Sequence, residues 1–119
     1  MQKKIRCKID NIPTEQICGI YALIDNEGRQ YIGSSKNIQQ RVKQHRSTMS
    51  MTLNLGHSVS INPLMEQAVK EGKSFRCEVL AQFHCDMTRD ELREIERIFI
   101  KKAGGIGVTY NQSVISHRV

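Results

Sequence analysis

ICGIYALIDNEGRQYIGSS, Ile17 to Ser35, is the stretch on which the fold turns. Ile17 to Asp25 is apolar and rich in β-prone residues. Asn26-Glu27-Gly28 follows with turn chemistry, Gly28 being able to take positive φ. Arg29 to Ser34 then resumes an extended pattern. Two such runs around a short glycine turn read as a β-hairpin. Tyr21 and Tyr31 alternate within their strands so as to reach one side of it. Gly19 and Gly33 suit close backbone packing.

Beyond the hairpin, Ser35 has the chemistry of an N-cap for the segment KNIQQRVKQHRSTM. Ile38 and Val42 give that helix one apolar stripe, and Arg41 and His45, also four apart, share a face. Thr48 to Ser60 is polar and dotted with methionine, and a loop is expected there. Asn62-Pro63 suits the start of a second helix, with Leu64, Met65, Ala68 and Val69 inward and Gly72 as its stop. Ser74 to Phe83 alternates as a strand, placing Phe75, Cys77 and Val79 on one side. Thr88 and Glu91 form a capping box that opens a third helix. Leu92, Ile95, Ile98 and Phe99 mark its apolar face, Glu96 falls beside that face, and Gly104-Gly105 end it. The basic lead-in to Pro13 leaves room for an added edge strand. The resulting order, β-β-α-α-β-α, is an α+β layout with helices packed on a small sheet.

A chain of 119 residues fits one domain, residues 1–119 with a core of about 17–113. With 39% hydrophobic and 25% charged residues, the composition is that of a globular protein and excludes wholesale disorder. The net charge of +6 and pI near 9.4 suggest a polyanionic partner. Cys7, Cys18, Cys77 and Cys85 form no CxxC pair and have no histidine at zinc-finger spacing, which argues against structural zinc. Their even number would permit two disulfides. The N-terminus has no apolar signal region, however, so reduced thiols and a cytosolic setting are expected. No apolar run approaches the ~20 residues of a membrane-spanning helix.

Gly19-Ile20-Tyr21, nine residues, then Tyr31-Ile32-Gly33 resembles the pair of motifs that name the GIY-YIG nucleases. The likeness extends downstream. Arg41 stands in the first helix after the hairpin, Glu96 in the late helix ELREIERIFIKK, and Asn111 in TYNQS, each resembling a family position. The resemblance implies an endonuclease that hydrolyses DNA phosphodiesters with Tyr21, Tyr31, Arg41, His45, Glu96 and Asn111 as its catalytic set. Glu96 would be the metal ligand, holding one hard divalent cation, Mg²⁺ or Mn²⁺, whose shell waters complete. Glu94 lies about 200° around the helix from Glu96 and cannot serve the same site. Arg41 would hold the scissile phosphate as a planar cation.

By the same resemblance, Tyr21 helps activate the attacking water and Tyr31 orients phosphate or water. A phenol at its usual pKa of ~10 is a poor base, so a nearby cation, such as Arg41 or the metal-water cluster, is expected to lower it. Two histidines compete for a supporting role. His45 resembles one that some members carry beside the helix arginine, and His57 resembles one that homing-type members carry in a later loop, as a catalytic or DNA-binding group. Lys36, Lys43 and Arg46 have the charge to track DNA phosphates. No helix-turn-helix or zinc finger is present, so low intrinsic sequence specificity is expected.

A cytoplasmic setting in a bacterial or phage-infected cell is implied, with a homodimer as one open arrangement. A catalytically silent nucleic-acid binding module, an RNA-cleaving nuclease and a partner-binding adaptor are the competing readings. Whether the substrate is duplex, single-stranded or branched stays open.

Overall fold

Every residue from Cys18 to Asp25 is buried. A strand covered on both faces reads as a continuous apolar run, which is why this segment shows little alternation. The computed structural model describes residues 8–55, 63–106 and 108–111. Its elements, in chain order, are β1 (Ile9–Asp10), β2 (Cys18–Asp25), β3 (Gln30–Ser35), α1 (Ile38–Leu55), α2 (Pro63–Lys70), β4 (Phe75–Phe83) and α3 (Arg89–Lys102). The expected α+β order holds, and the basic lead-in does supply an edge strand.

The four strands form one mixed sheet in the order β1-β4-β2-β3. β2 pairs antiparallel with both β3 and β4, while β1 runs parallel to β4. Alternate residues of β2 feed two cores. Tyr21 and Leu23 pack with Ile38 and Val42 of α1 and Met65 of α2. Ile20, Ala22 and Ile32 pack on the other face with Ile100 of α3. β3 is therefore an edge strand with a helix on each side of it. None of the helices among the described residues is long and apolar enough to cross a membrane.

The far end of the hairpin is tied to the last described residues. Asp25 Oδ1 accepts from the backbone N–H groups of Glu27 and Arg29, at 2.8 and 2.9 Å, closing the turn in which Gly28 takes φ of 92°. The Tyr110 hydroxyl donates to Asp25 Oδ2, and the Arg29 guanidinium lies 4.5 Å from the Tyr110 ring centre. Lys73 Nζ approaches the same carboxylate at 3.8 Å.

The structure corrects three local expectations. Ser35 ends β3 instead of capping α1. The cap is Asn37, whose Oδ1 accepts from Gln40 N–H at 3.2 Å. The loop expected from Thr48 is helix as far as Leu55, because no proline or glycine interrupts it and buried Met49 docks it on the core. The remainder of that expected loop, 56–60, lies outside the described residues. Val79 does share the side of Phe75 and Cys77, pairing with Tyr21 as Cys77 pairs with Leu23, and it is 37% exposed at the end of that run. Ile20 pairs with Ala81 and Tyr21 with Val79, leaving Leu80 as the extra residue of a bulge that breaks the alternation. Ile98 is 53% exposed, because the buried ridge of α3 runs through Leu92, Glu96 and Ile100 at four-residue spacing. The capping box of Thr88 and Glu91 is formed as expected, and Cys18, Cys77 and Cys85 are free thiols.

Candidate active site

Tyr21 faces Gly33 across the β2–β3 ladder. A Cβ on residue 33 would come within 2.5 Å of the Tyr21 hydroxyl. Glycine is thus required there so that the phenol can lie over the neighbouring strand. Gly19 answers a second crowding, since a Cβ at that position would strike the Ala81 carbonyl beside the β4 bulge.

The phenol laid over Gly33 meets α1. His45 Nε2 stands 2.9 Å from the Tyr21 hydroxyl, and the His45 ring packs edge-on against Tyr31 at 5.4 Å between centres. The imidazole tautomer decides which partner donates. Burial, with a smaller push from Arg41, depresses His45 to about 3, so the ring is neutral near neutral pH. Burial pushes the Tyr21 phenol well above its ordinary value. Tyr31 and Glu96 add to that rise, while Arg41 opposes it. Tyr31 is raised by burial and by Glu96. Arg41 acts on Tyr21 in the expected, lowering direction, but loss of hydration outweighs it.

Glu96 approaches from the opposite face. It belongs to the buried ridge of α3, and the Ser34 hydroxyl donates to its Oε1 at 2.6 Å. Ser34 follows Ile32 by two residues and so shares the side of β3 that α3 covers. Because β3 is the sheet edge, the Tyr21–His45 pair on one face and the Ser34–Glu96 pair on the other converge there. Both phenols sense the Glu96 charge. Glu94 points elsewhere and pairs with Arg97 at 2.9 Å.

Asn111 is buried and clasps β3. Its Oδ1 accepts from Ile32 N–H at 2.9 Å and its Nδ2 donates to the Ile32 carbonyl at 2.8 Å. Both ends of its amide thus hold the backbone two residues before Ser34. Arg41 is exposed and donates to Gln44 Oε1 at 3.3 Å. Lys36 and Lys43 are exposed and Arg46 is half-buried. Among the described residues none of these four cations forms an ion pair with a carboxylate. His57 lies outside the described residues.

The described residues contain no group of three or more His, Cys, Asp and Glu arranged to hold a metal ion. A single carboxylate braced by a hydroxyl suits a hard cation that keeps most of its water, and suits poorly one that needs a full protein cage. Ser34 is the residue that sequence reading missed. Its signal was available: a small hydroxyl directly after Tyr31-Ile32-Gly33, at strand spacing from Ile32.

The family model described as the GIY-YIG catalytic domain matches residues 17–111. Two solved structures are similar. One is a mutant of the catalytic domain of the intron endonuclease I-TevI, with TM-score 0.65 and 24% identity, covering 86% of this chain and 99% of that one. The other is the catalytic domain of the homing endonuclease I-TevI, with TM-score 0.63 and 27% identity, covering 81% and 98%. No curated protein matches.

Proposed function

Since the chain belongs to the GIY-YIG catalytic-domain family, we propose that it is a metal-dependent endonuclease that hydrolyses phosphodiester bonds in DNA. The observation that carries this reading is the meeting of two hydrogen-bonded pairs, Tyr21–His45 and Ser34–Glu96, on opposite sides of one edge strand. An edge strand leaves room for a phosphate to approach side-on, between α1 and α3.

Hydrolysis needs an aligned water, relief of charge on the phosphoryl oxygens and a path for the water's proton. In this reading, Arg41 meets the phosphoryl oxygens with a fixed planar cation from the exposed side of α1. The Tyr21 hydroxyl, held at 2.9 Å by neutral His45, orients the attacking water and passes its proton along that hydrogen bond. Tyr31, packed on His45, orients the phosphate. Glu96 is the residue that would hold a hard divalent cation, Mg²⁺ or Mn²⁺, with Ser34 fixing its carboxylate. Such a cation supplies Lewis acidity and additional positive charge near the phenols. Asn111 acts at one remove, by clasping the Ile32 backbone and so fixing the strand that carries Tyr31 and Ser34. Lys36, Lys43 and Arg46 grip flanking phosphates without reading sequence, which keeps intrinsic specificity low.

The test is incubation of the purified protein with single-stranded, duplex and branched DNA, and with RNA, in Mg²⁺, in Mn²⁺ and in EDTA. Cation-dependent cleavage of DNA is expected. A protein that binds DNA but cleaves none of these under any cation is a silent binding module, and cleavage confined to RNA would transfer the reading to that polymer.

A further inference from the structure

All twelve carboxylate side chains of this chain lie outside residues 28–65. That stretch carries Arg29, Lys36, Arg41, Lys43 and Arg46, five cations against no acid, and α1 falls wholly within it. The contrast with α3 is direct. There cations and acids interleave, and Arg93–Asp90 and Arg97–Glu94 neutralise one another on the outer surface. The outer surface of α1 has no such internal partner, so its charge is available to a polyanion.

Between the cations this surface is furnished with carboxamides. At 100° per residue, Ile38, Val42, His45 and Met49 point to the core and the active site, whereas Asn37, Gln40, Arg41 and Gln44 form a neighbouring stripe. Gln40, Arg41 and Gln44 are exposed, and together with Gln16 and Lys43 they line a shallow groove that no carboxylate enters. Arg41 forms the edge of the stripe nearest His45, so the groove begins at the active site. It is also bonded to the stripe through Gln44 Oε1. A neutral amide adds nothing to nonspecific attraction for phosphates. What it offers is a paired donor and acceptor, which matches the N6 and N7 edge of adenine in the major groove.

We infer that Gln40 and Gln44 read base edges in duplex DNA beside the scissile phosphate, while Lys43 holds an adjacent phosphate. From Gln40 to Gln44 the helix rises about 6 Å. That covers about two base pairs at ~3.4 Å each. The domain therefore has a short context preference, favouring A·T at about two positions beside the cut, inside an otherwise unselective grip. This inference rests on the endonuclease reading for the position of the cut, but the base preference itself is a binding property.

Two selections from a duplex library with randomised base pairs test it. One sequences the ends released by the wild type in a single turnover. The other sequences duplexes retained by Glu96→Gln, which keeps the α1 surface. Both are repeated in Gln40→Ala/Gln44→Ala and in Lys43→Ala backgrounds, with circular dichroism verifying the fold. Enrichment of A·T at one or two positions is expected. It should fall roughly tenfold per lost contact in the glutamine variant, and remain in the lysine variant although binding weakens for every sequence. An unselective wild type, or a preference untouched by the double substitution, overturns the proposal. If the wild type cuts nothing but Glu96→Gln retains a glutamine-dependent preference, the base-reading stripe stands and the nuclease reading fails. If neither selection enriches any sequence, the stripe is overturned whether or not DNA is cut.

Discussion

Ser34 reaches Glu96 across 62 residues of sequence, hydroxyl to carboxylate at 2.6 Å, and so links the edge strand of the hairpin to the late helix. A hydroxyl donating to a carboxylate fixes its rotamer and stabilises its charge. Removing the hydroxyl leaves Glu96 in place but less firmly aimed. Ser34→Ala should therefore raise the Mg²⁺ concentration for half-maximal cleavage several-fold, with a smaller change at saturating Mg²⁺, and Ser34→Thr should recover most of the loss. A cation titration of single-turnover cleavage decides this. An unchanged midpoint in Ser34→Ala would show that the bond does not position Glu96.

Tyr21→Phe deletes only a hydroxyl and keeps the ring over Gly33. Single-turnover cleavage should fall by about a hundredfold or more, in the range for loss of a proton-transfer group, while the denaturation midpoint stays close to wild type. Gly33→Ala should lose activity for a different reason. Its methyl collides with the Tyr21 hydroxyl, so a stability loss of about 1–3 kcal/mol should accompany it. Urea unfolding of the two variants separates these causes, and a fully stable, fully active Gly33→Ala would refute the close approach.

Arg41→Ala should slow cleavage by roughly a hundred- to a thousandfold, as expected for a donor aimed at developing charge. Arg41→Lys should restore little, because an ammonium lacks the planar fork. Wild-type turnover in the lysine variant would show that charge alone suffices at this position.

The Asp25 cluster makes the fold acid-sensitive. Burial raises the Asp25 carboxyl, but its hydrogen bonds from Tyr110, Arg29 and Glu27 and the charge of Lys73 outweigh this and leave it below the ordinary 3.8. A carboxylate depressed in the folded state contributes its stability above the unfolded value. The contribution is lost as pH falls below about 3.8 toward the folded value. Urea midpoints measured from pH 7 down to 3 should decline, and Asp25→Asn should be less stable at pH 7 with a shallower decline below pH 4. Tyr110→Phe should cost about 1–3 kcal/mol, since it takes a donor from a buried carboxylate. An Asp25→Asn protein with an unchanged acid decline would contradict this assignment.

What could be read in advance follows the range of the interactions involved. The hairpin and the capping box of α3 rest on contacts a few residues apart, and both were legible as local patterns. Tyr21 and Tyr31 were placed on one side by strand alternation alone. Ser34 with Glu96 and Tyr110 with Asp25 were not legible, because they depend on strand order and on partners 62 and 85 residues away. The extra turns of α1 were hidden because polar and apolar residues alternate from Thr48 to Leu55 instead of recurring at helical spacing. The β4 bulge carries no proline or glycine to announce it, and it shifts the pairing only beyond Val79.

The central claim is that Glu96, from the far face of the sheet, completes a hydrolytic site with Tyr21, His45 and Arg41. Its most direct test is single-turnover cleavage of duplex DNA in Mg²⁺ by the wild type, Glu96→Gln and Glu94→Gln, alongside DNA affinity and urea unfolding of each. Glu96→Gln should lose cleavage by roughly a thousandfold or more while remaining folded and bound to DNA, and Glu94→Gln should stay within a few-fold of wild type because its carboxylate pairs with Arg97 on the outer surface. A folded Glu96→Gln protein that cuts at the wild-type rate would contradict the account.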